Sequence, residues 1–238
     1  MMRLEFQYGT RIIGFNVIFR KRKTLEISVE PPDIITVVAP LDTPEDVIIN
    51  KTKSKAKWIV EQLYSFKNMQ YKKINREFVN GESFLYLGRN YSLQIVIDED
   101  IKNAGLKLYK GKFYITTRSK DNETIEKAMK EWYRKKTKEK IEERIKYYER
   151  YFNIKPTSIK VKEQQKRWGS CTIKNELFFN WRCVMAKANV LDYIIVHEMC
   201  HLYHKNHSKE FWELLNSVMP DFESRKEWLK NNGVKMNL

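Results

Sequence analysis

Residues 191–207, LDYIIVHEMCHLYHKNH, contain all four histidines of the 238-residue chain, at positions 197, 201, 204 and 207. Ile195, Met199 and Leu202 recur at helical spacing, so the segment is expected to form a helix with one buried face and with His197 and His201 on another. Residues four apart lie about 40° apart around a helix axis and about 6 Å along it, close enough for both imidazoles to reach one ion. Glu198 sits about 100° round from His197, where it can lean over that ion without binding it. This is the H-E-x-x-H arrangement, in which zinc takes nitrogen ligands, keeps an open position, and has a glutamate beside it as general base.

A third ligand cannot come from the same straight helix. His204 shares a face with His197 but lies about 10 Å along the axis, against metal–nitrogen bonds of about 2 Å. The chain must therefore break, and KNHS offers the means. Asn206 tolerates a left-handed helix-ending conformation, Ser208 can cap the following KEFWELLNSVM, and His207 between them is the expected third ligand. Helix, kink, second helix is thus imposed on this part of the fold. His204 is expected to support the site or lie at the surface. Cys200 points away from the His197/His201 stripe and is expected to be a buried thiol. Glu210 and Glu213 are carboxylate alternatives further from the break.

The remaining pattern is α+β. RIIGFNVIFRKRKTLEISVE and DIITVVAP read as strands, and one helix is expected over residues 43–66, with Thr43 as N-cap and Pro44 at the first helical position. ESFLYLGRNYSLQIVID and GLKLYKGKFYITT read as hairpins turning at Gly88 and at Lys110-Gly111. Residues 1–120 are therefore expected to be an antiparallel β-rich region. From 122 onward Ile125, Met129, Trp132, Ile141, Ile145, Tyr148 and Phe152 mark a long amphipathic helix with a gap near Lys136, ending before Pro156. TSIKVK and ELFFNW flank KRWGSCTIKN as a hairpin, with its short turn expected at Lys174-Asn175, and Asn189, with Asp192 in the first turn, opens the histidine helix. Residues 121–238 would hold this long helix and the metal site, either as a second domain or packed with the first as one unit.

A net charge of +15, from 45 Lys and Arg against 30 Asp and Glu, attracts phosphates, nucleic acid or acidic protein. The basic runs at 20–23, 51–57 and 134–140 carry no nucleic-acid signature, and a solvated lysine-rich surface is the simpler reading. Cys171, Cys183 and Cys200 cannot all pair and form no C-x-x-C, against a disulfide framework or a thiolate zinc site. No apolar run suits a membrane span and the N-terminus lacks a signal-peptide core, so a cytoplasmic protein without membrane contact is expected.

RWGSC (167–171), NWRCVMA (180–186), LDYIIVHEMCHLYHKNHSKEFW (191–212) and MPDF (219–222) together resemble the YgjP-like metal-dependent hydrolases, relatives of the SprT-like and WLM zinc peptidases. RKRKTLEISVE, VVAP and KWI extend the likeness toward the N-terminus. The resemblance implies a zincin-like C-terminal metallopeptidase domain, a zinc ion held by His197, His201 and His207, and Glu198 as catalytic base. Asn206 departs from the glycine that SprT-like relatives often carry before the third histidine.

A zinc-activated water attacking a peptide amide is the leading functional reading. The same chemistry on a nucleotide phosphoanhydride, and a nucleic-acid-associated protein with structural zinc, are the alternatives. Zincins bind extended substrates along an edge strand, and this places Trp168 and Gly169 at the cleft, with Trp168 equally suited to the core. Arg182, Arg167, Tyr193 and Tyr203 are candidate donors to a developing oxyanion, though packing or a salt bridge is the simpler role for each.

Overall fold

The computed structural model describes residues 2–30, 32–68, 76–164 and 167–238. The chain divides into two compact units, Met1–Lys73 and Ile74–Leu238.

The first unit is one sheet with two helices. Strands β1 (Met2–Tyr8), β2 (Arg11–Arg20), β3 (Glu26–Glu30) and β4 (Ile34–Pro40) stand in the order β1-β2-β4-β3. The two outer pairs are antiparallel and the central pair β2/β4 is parallel, so the sheet is mixed. Alternation puts Phe6, Ile13, Phe15, Val17, Ile35 and Val37 on one face, where they bury Ile48, Ala56 and Ile59. Those three come from two helices, α1 (Glu45–Lys53) and α2 (Ala56–Asn68), where one was expected. The chain breaks at Ser54 and Lys55, whose backbone N–H groups turn back to Asn50 and Thr52 carbonyls. Pro44 takes the N-cap position, one residue later than expected, and the Thr43 hydroxyl donates to the Pro40 carbonyl.

The second unit begins with the same topology. Strands β5 (Ser83–Tyr86), β6 (Arg89–Ile97), β7 (Gly105–Tyr109) and β8 (Lys112–Thr117) stand in the order β5-β6-β8-β7, again two hairpins joined by a parallel central pair. Both hairpins turn where expected. Leu87-Gly88 and Lys110-Gly111 each place two successive residues at positive φ, the geometry of a type I′ turn.

Helix α3 (Asn122–Tyr148) is capped by the Asp121 carboxylate, which accepts from the Thr124 N–H at 2.9 Å. The gap in its apolar stripe is filled by Thr137, fully buried, whose hydroxyl donates to the Trp181 carbonyl at 2.6 Å. Trp132 packs partly buried against the core as expected, and Tyr133 beside it is fully buried and donates to the Leu85 carbonyl at 2.6 Å. These contacts move the expected domain boundary. Phe84, Leu93, Phe113 and Ile115 share one core with Tyr133, Trp181 and Leu177, so residues 74–120 belong with the C-terminal part of the chain, and the division falls at 73/74 instead of 120/121.

Strands β9 (Ser158–Lys162), β10 (Gly169–Cys171) and β11 (Glu176–Asn180) form a third sheet in the order β10-β11-β9. The turn expected at Lys174-Asn175 is present, with Asn175 at positive φ, but the strand it joins to β11 is β10; the expected pairing of β9 with β11 as a hairpin is corrected, since those two are parallel. Leu177 and Phe179 are fully buried on β11, which places that strand in the middle. Three helices complete the unit: α4 (Ala188–Cys200), α5 (Lys209–Val218) and α6 (Phe222–Asn232). The N-cap of α4 is Lys187, so Asn189 lies inside the first turn, and Asp192 accepts two hydrogen bonds from Arg144 at 2.6 and 2.8 Å instead of serving the dipole alone. Among the described residues no helix is long and apolar enough to cross a membrane.

The basic run on α3 is largely neutralised along its own helix. Lys136, Lys138 and Lys140 pair with Glu139, Glu142 and Glu143, and Lys130 with Glu126.

Candidate metal centre

Helix α4 is apolar nearly all round, with Val190, Leu191, Ile194, Ile195, Val196, Met199 and Cys200 buried, so it runs through the core. That environment fixes the direction of the few polar side chains it carries. The helix ends at Cys200, a turn earlier than the KNHS break expected from the sequence. The N–H groups of Tyr203 and His204 both bond to the Cys200 carbonyl at 3.1 Å, and that of Leu202 to Met199 at 3.0 Å. Asn206 is not among the described residues with positive φ, so the left-handed stop is replaced by this tightened turn. Ser208 occupies the N-cap position of α5, without a side-chain bond to the helix backbone.

The turn brings three histidines together. One ring nitrogen from each of His197, His201 and His207 lies within 4.8 Å of the others, and the Nε2 atoms of His197 and His207 are 3.0 Å apart. A tetrahedral ion with nitrogen ligands at about 2.0–2.1 Å spaces them about 3.3 Å apart, so the cluster has the dimensions of a metal site. His204 is not part of it. Its carbonyl accepts from His201 Nδ1 at 2.8 Å, which orients that ring and leaves Nε2 to face the cluster. Burial lowers the pKa of His197 to about 3, helped by the charges of His201, His207 and Lys226. Burial likewise lowers His201 and His207. All three are therefore neutral near pH 7, the form that binds metal.

Glu198 is 5% exposed, and burial raises its carboxyl to about 8 against the opposing charge of Arg167. Its Oε2 is a buried polar atom with no hydrogen-bond partner among the described residues, and an ion or a reacting group is what satisfies an atom of this kind. Glu198 rests on Gly169 of β10: a Cβ there would stand 2.6 Å from Glu198 Cγ and 2.7 Å from Oε1.

Of the other expected site residues, Gly169 is brought to Glu198, whereas Trp168 and Arg182 are engaged elsewhere. The Trp168 ring packs on Gly233, and its carbonyl accepts from Asn180 N–H and the Cys183 thiol. The Arg182 guanidinium pairs with Glu163, donates to Asn237 at 3.0 Å and lies over Trp181. The Tyr203 hydroxyl accepts from the backbone N–H groups of Asn153 and Ile154 at 2.5 and 2.9 Å. Tyr193 packs edge-on to His197 at 5.8 Å. Cys200 is fully buried, and desolvation pushes its thiol up to about 12, as for an inert core thiol. Glu210 is engaged by Ser208 and Glu213 by Lys209.

The sequence reading missed the aromatic floor. Phe211, fully buried, places its ring 4.6–5.0 Å from all three imidazoles, and Trp212 stacks on His207 at 5.5 Å and 23°. Their position one turn after His207, in the first turn of α5, was the available signal. Lys205 was also missed: its ammonium donates to the Thr172 carbonyl at 3.0 Å and Asn175 Oδ1 at 2.5 Å and lies 3.3 Å from Cys171 Sγ, tying the turn to the β10–β11 hairpin.

No curated protein matches the chain. The family model for the YgjP-like metallopeptidase domain matches residues 23–232, from the first unit through the histidine cluster to the end of α6, and the chain belongs to this family of metal-dependent hydrolases.

Proposed function

We propose that the chain is a zinc metallopeptidase in which His197, His201 and His207 hold the ion and Glu198 is the general base. The observation that carries this reading is the buried Glu198 carboxyl, with Oε2 unpartnered, beside three neutral imidazoles whose nitrogens fit one ion. A bound zinc ion would supply Lewis-acid chemistry, making water acidic enough to deprotonate near neutral pH and polarising the scissile carbonyl. Three imidazole nitrogens with no carboxylate or thiolate suit zinc better than magnesium or calcium. Positive charge among the histidines also opposes the burial that holds Glu198 protonated, returning it to the carboxylate that a base requires.

Glu198 Oε2 then accepts the proton of the attacking water as the new C–O bond forms. It passes that proton to the amine nitrogen as the C–N bond breaks, so the residue returns to its starting state.

An extended peptide fits the outer edge of β10. The Asn180 N–H bonds to the Trp168 carbonyl and the Thr172 N–H to the Glu176 carbonyl, so in this antiparallel register Gly169 and Cys171 turn their own N–H and C=O groups away from β11. A substrate strand paired there lies against Gly169, the residue in contact with Glu198. Among the described residues the cluster gathers three ligands, whereas a structural zinc site is closed by four, which favours the catalytic reading. Three free cysteines suit a reducing compartment such as the cytoplasm.

The test is metal analysis of the purified protein together with hydrolysis of an unstructured polypeptide. Wild type is expected to carry about one zinc and to cleave. Glu198→Gln is expected to keep the zinc and lose turnover by a factor on the order of 10³ or more. Unchanged turnover in that variant refutes the base assignment.

A further inference from the structure

Beyond His207 the wall of the site is built by Trp212 and Lys226. Trp212 stacks on His207, lies 6.2 Å from His197 and stacks with Phe222 at 5.6 Å. Lys226, one helical turn after Phe222 on α6, holds its ammonium 4.5 Å from the centre of the Trp212 ring. Its neighbouring carboxylate is Glu223, at 3.6 Å and 70% exposed, a solvent-screened surface pair that costs little to exchange for another anion. The adjacent Arg225 contrasts with it: that guanidinium is spent on Asp221 and on the Asn189 carbonyl, both at 2.9 Å.

A cation in this position works against the site it borders. Only the Trp212 ring stands between this ammonium and the His207 imidazole, so its field opposes a divalent ion held among the histidines. Such a placement is accounted for when an anion is bound beside the ion.

Resting on the metallopeptidase reading, we propose that Lys226, held over Trp212, is the subsite for a carboxylate of the polypeptide substrate, carried by an aspartate or glutamate side chain or by the chain end. The indole holds the ammonium by a cation–π contact and offers an apolar floor to the substrate segment leading to the carboxylate. Because Trp212 also stacks on His207, a carboxylate there is docked next to the proposed ion, and the peptide is located along the cleft by that one contact.

Binding can be measured without turnover by fluorescence anisotropy on zinc-loaded Glu198→Gln protein. Three labelled peptides of equal length serve as probes: neutral and amidated, amidated with one glutamate, and neutral with a free C-terminus. At least one carboxylate peptide is expected to bind more tightly than the neutral one and to lose about tenfold in affinity when Lys226→Met is added. The neutral peptide is expected to be unaffected, and Lys226→Arg to restore the difference. Whichever carboxylate peptide responds identifies the source of the anion. Equal losses for all three, equal affinities without loss, or no measurable binding of any of them overturns the proposal. Zinc content, measured in each variant, separates loss of the ion from loss of the contact. Failure of the wild type to hydrolyse peptides would instead count against the metallopeptidase reading, while the binding contrast still reports on Lys226.

Discussion

Gly169 and Glu198 are packed so closely that a methyl group on the strand residue would lie 2.6 Å from the Cγ of the helix residue and 2.8 Å from its Cδ. Real carbon atoms do not approach to that distance without one of them moving. The bare Cα of Gly169 is therefore what allows the carboxyl of Glu198 to lie between β10 and α4. Trp168, the next residue back, is held by Gly233 in the same way: a Cβ there would stand 2.8 Å from the indole.

Gly169→Ala is expected to push Glu198 out of its position and lower kcat/KM by about 100-fold or more, because misplacement of a catalytic group by about 1 Å costs on that order. The zinc content should be unchanged, since the histidines do not touch Gly169 through this contact. Overpacking should also lower stability by about 1–3 kcal/mol in urea titrations. Full activity in this variant would mean that Glu198 does not act from the place it occupies here.

His204 and His207 can be told apart by metal affinity. His204 contributes its backbone carbonyl to His201, which alanine retains, so His204→Ala should bind zinc within a few-fold of wild type. His207 contributes a ring nitrogen, and His207→Ala should weaken zinc by more than about 100-fold, beyond the range typical of supporting contacts. Competition with a chelating dye measures both. A reversed order would move the third ligand to position 204.

Phe211 is expected to couple the stability of α5 to the geometry of the site. Its ring is fully buried and touches three imidazoles, so Phe211→Ala should cost about 3–5 kcal/mol and loosen the histidines at the same time. Phe211→Leu fills more of the volume and should cost less, with zinc affinity following stability through the pair. Wild-type zinc affinity in a strongly destabilised Phe211→Ala would show that the imidazoles hold their places without this ring.

What the sequence revealed and what it hid divide along the distance over which each feature is decided. The convergence of His197, His201 and His207 was legible because helical spacing and one necessary break bring them together within eleven residues. The two type I′ turns were legible for the same reason, as two-residue problems. The location of the break was less so: Asn206 has the propensity for a left-handed stop, yet the turn tightens already at Cys200, where successive N–H groups share one carbonyl. The parallel pairing of β9 with β11 was hidden, since a local pattern shows that a segment is a strand but not which neighbour it takes. The domain boundary was hidden likewise. Strands β5 to β8 have the same topology as β1 to β4, and only the shared burial of Phe84 and Phe113 with Tyr133 and Trp181 assigns them to the second unit. Arg182 showed a free guanidinium in the sequence because its partners, Glu163 and Asn237, are remote along the chain.

Those partners give the fold around the site a dependence on acid. Burial raises the pKa of Glu163, but hydrogen bonds from Trp181 and Arg182 outweigh it and hold the carboxyl below its ordinary value of 4.5. The Trp181 indole N–H donates to its Oε2 at 2.6 Å, and Trp181 is itself fully buried beside Tyr133, so the contact anchors the segment between β11 and α4. A carboxyl whose folded pKa is depressed contributes stability above its unfolded pKa, and that contribution disappears as pH falls through the lower folded value. With the side chain 42% exposed, solvent screening limits the contribution to the order of 1 kcal/mol. Wild type should therefore be more stable than Glu163→Gln at pH 7 by about that amount, and the difference should shrink steadily below about pH 4.5. Urea titrations of both proteins between pH 7 and pH 3 measure it. A gap that stayed constant across that range would assign the effect of the substitution to packing instead of to charge.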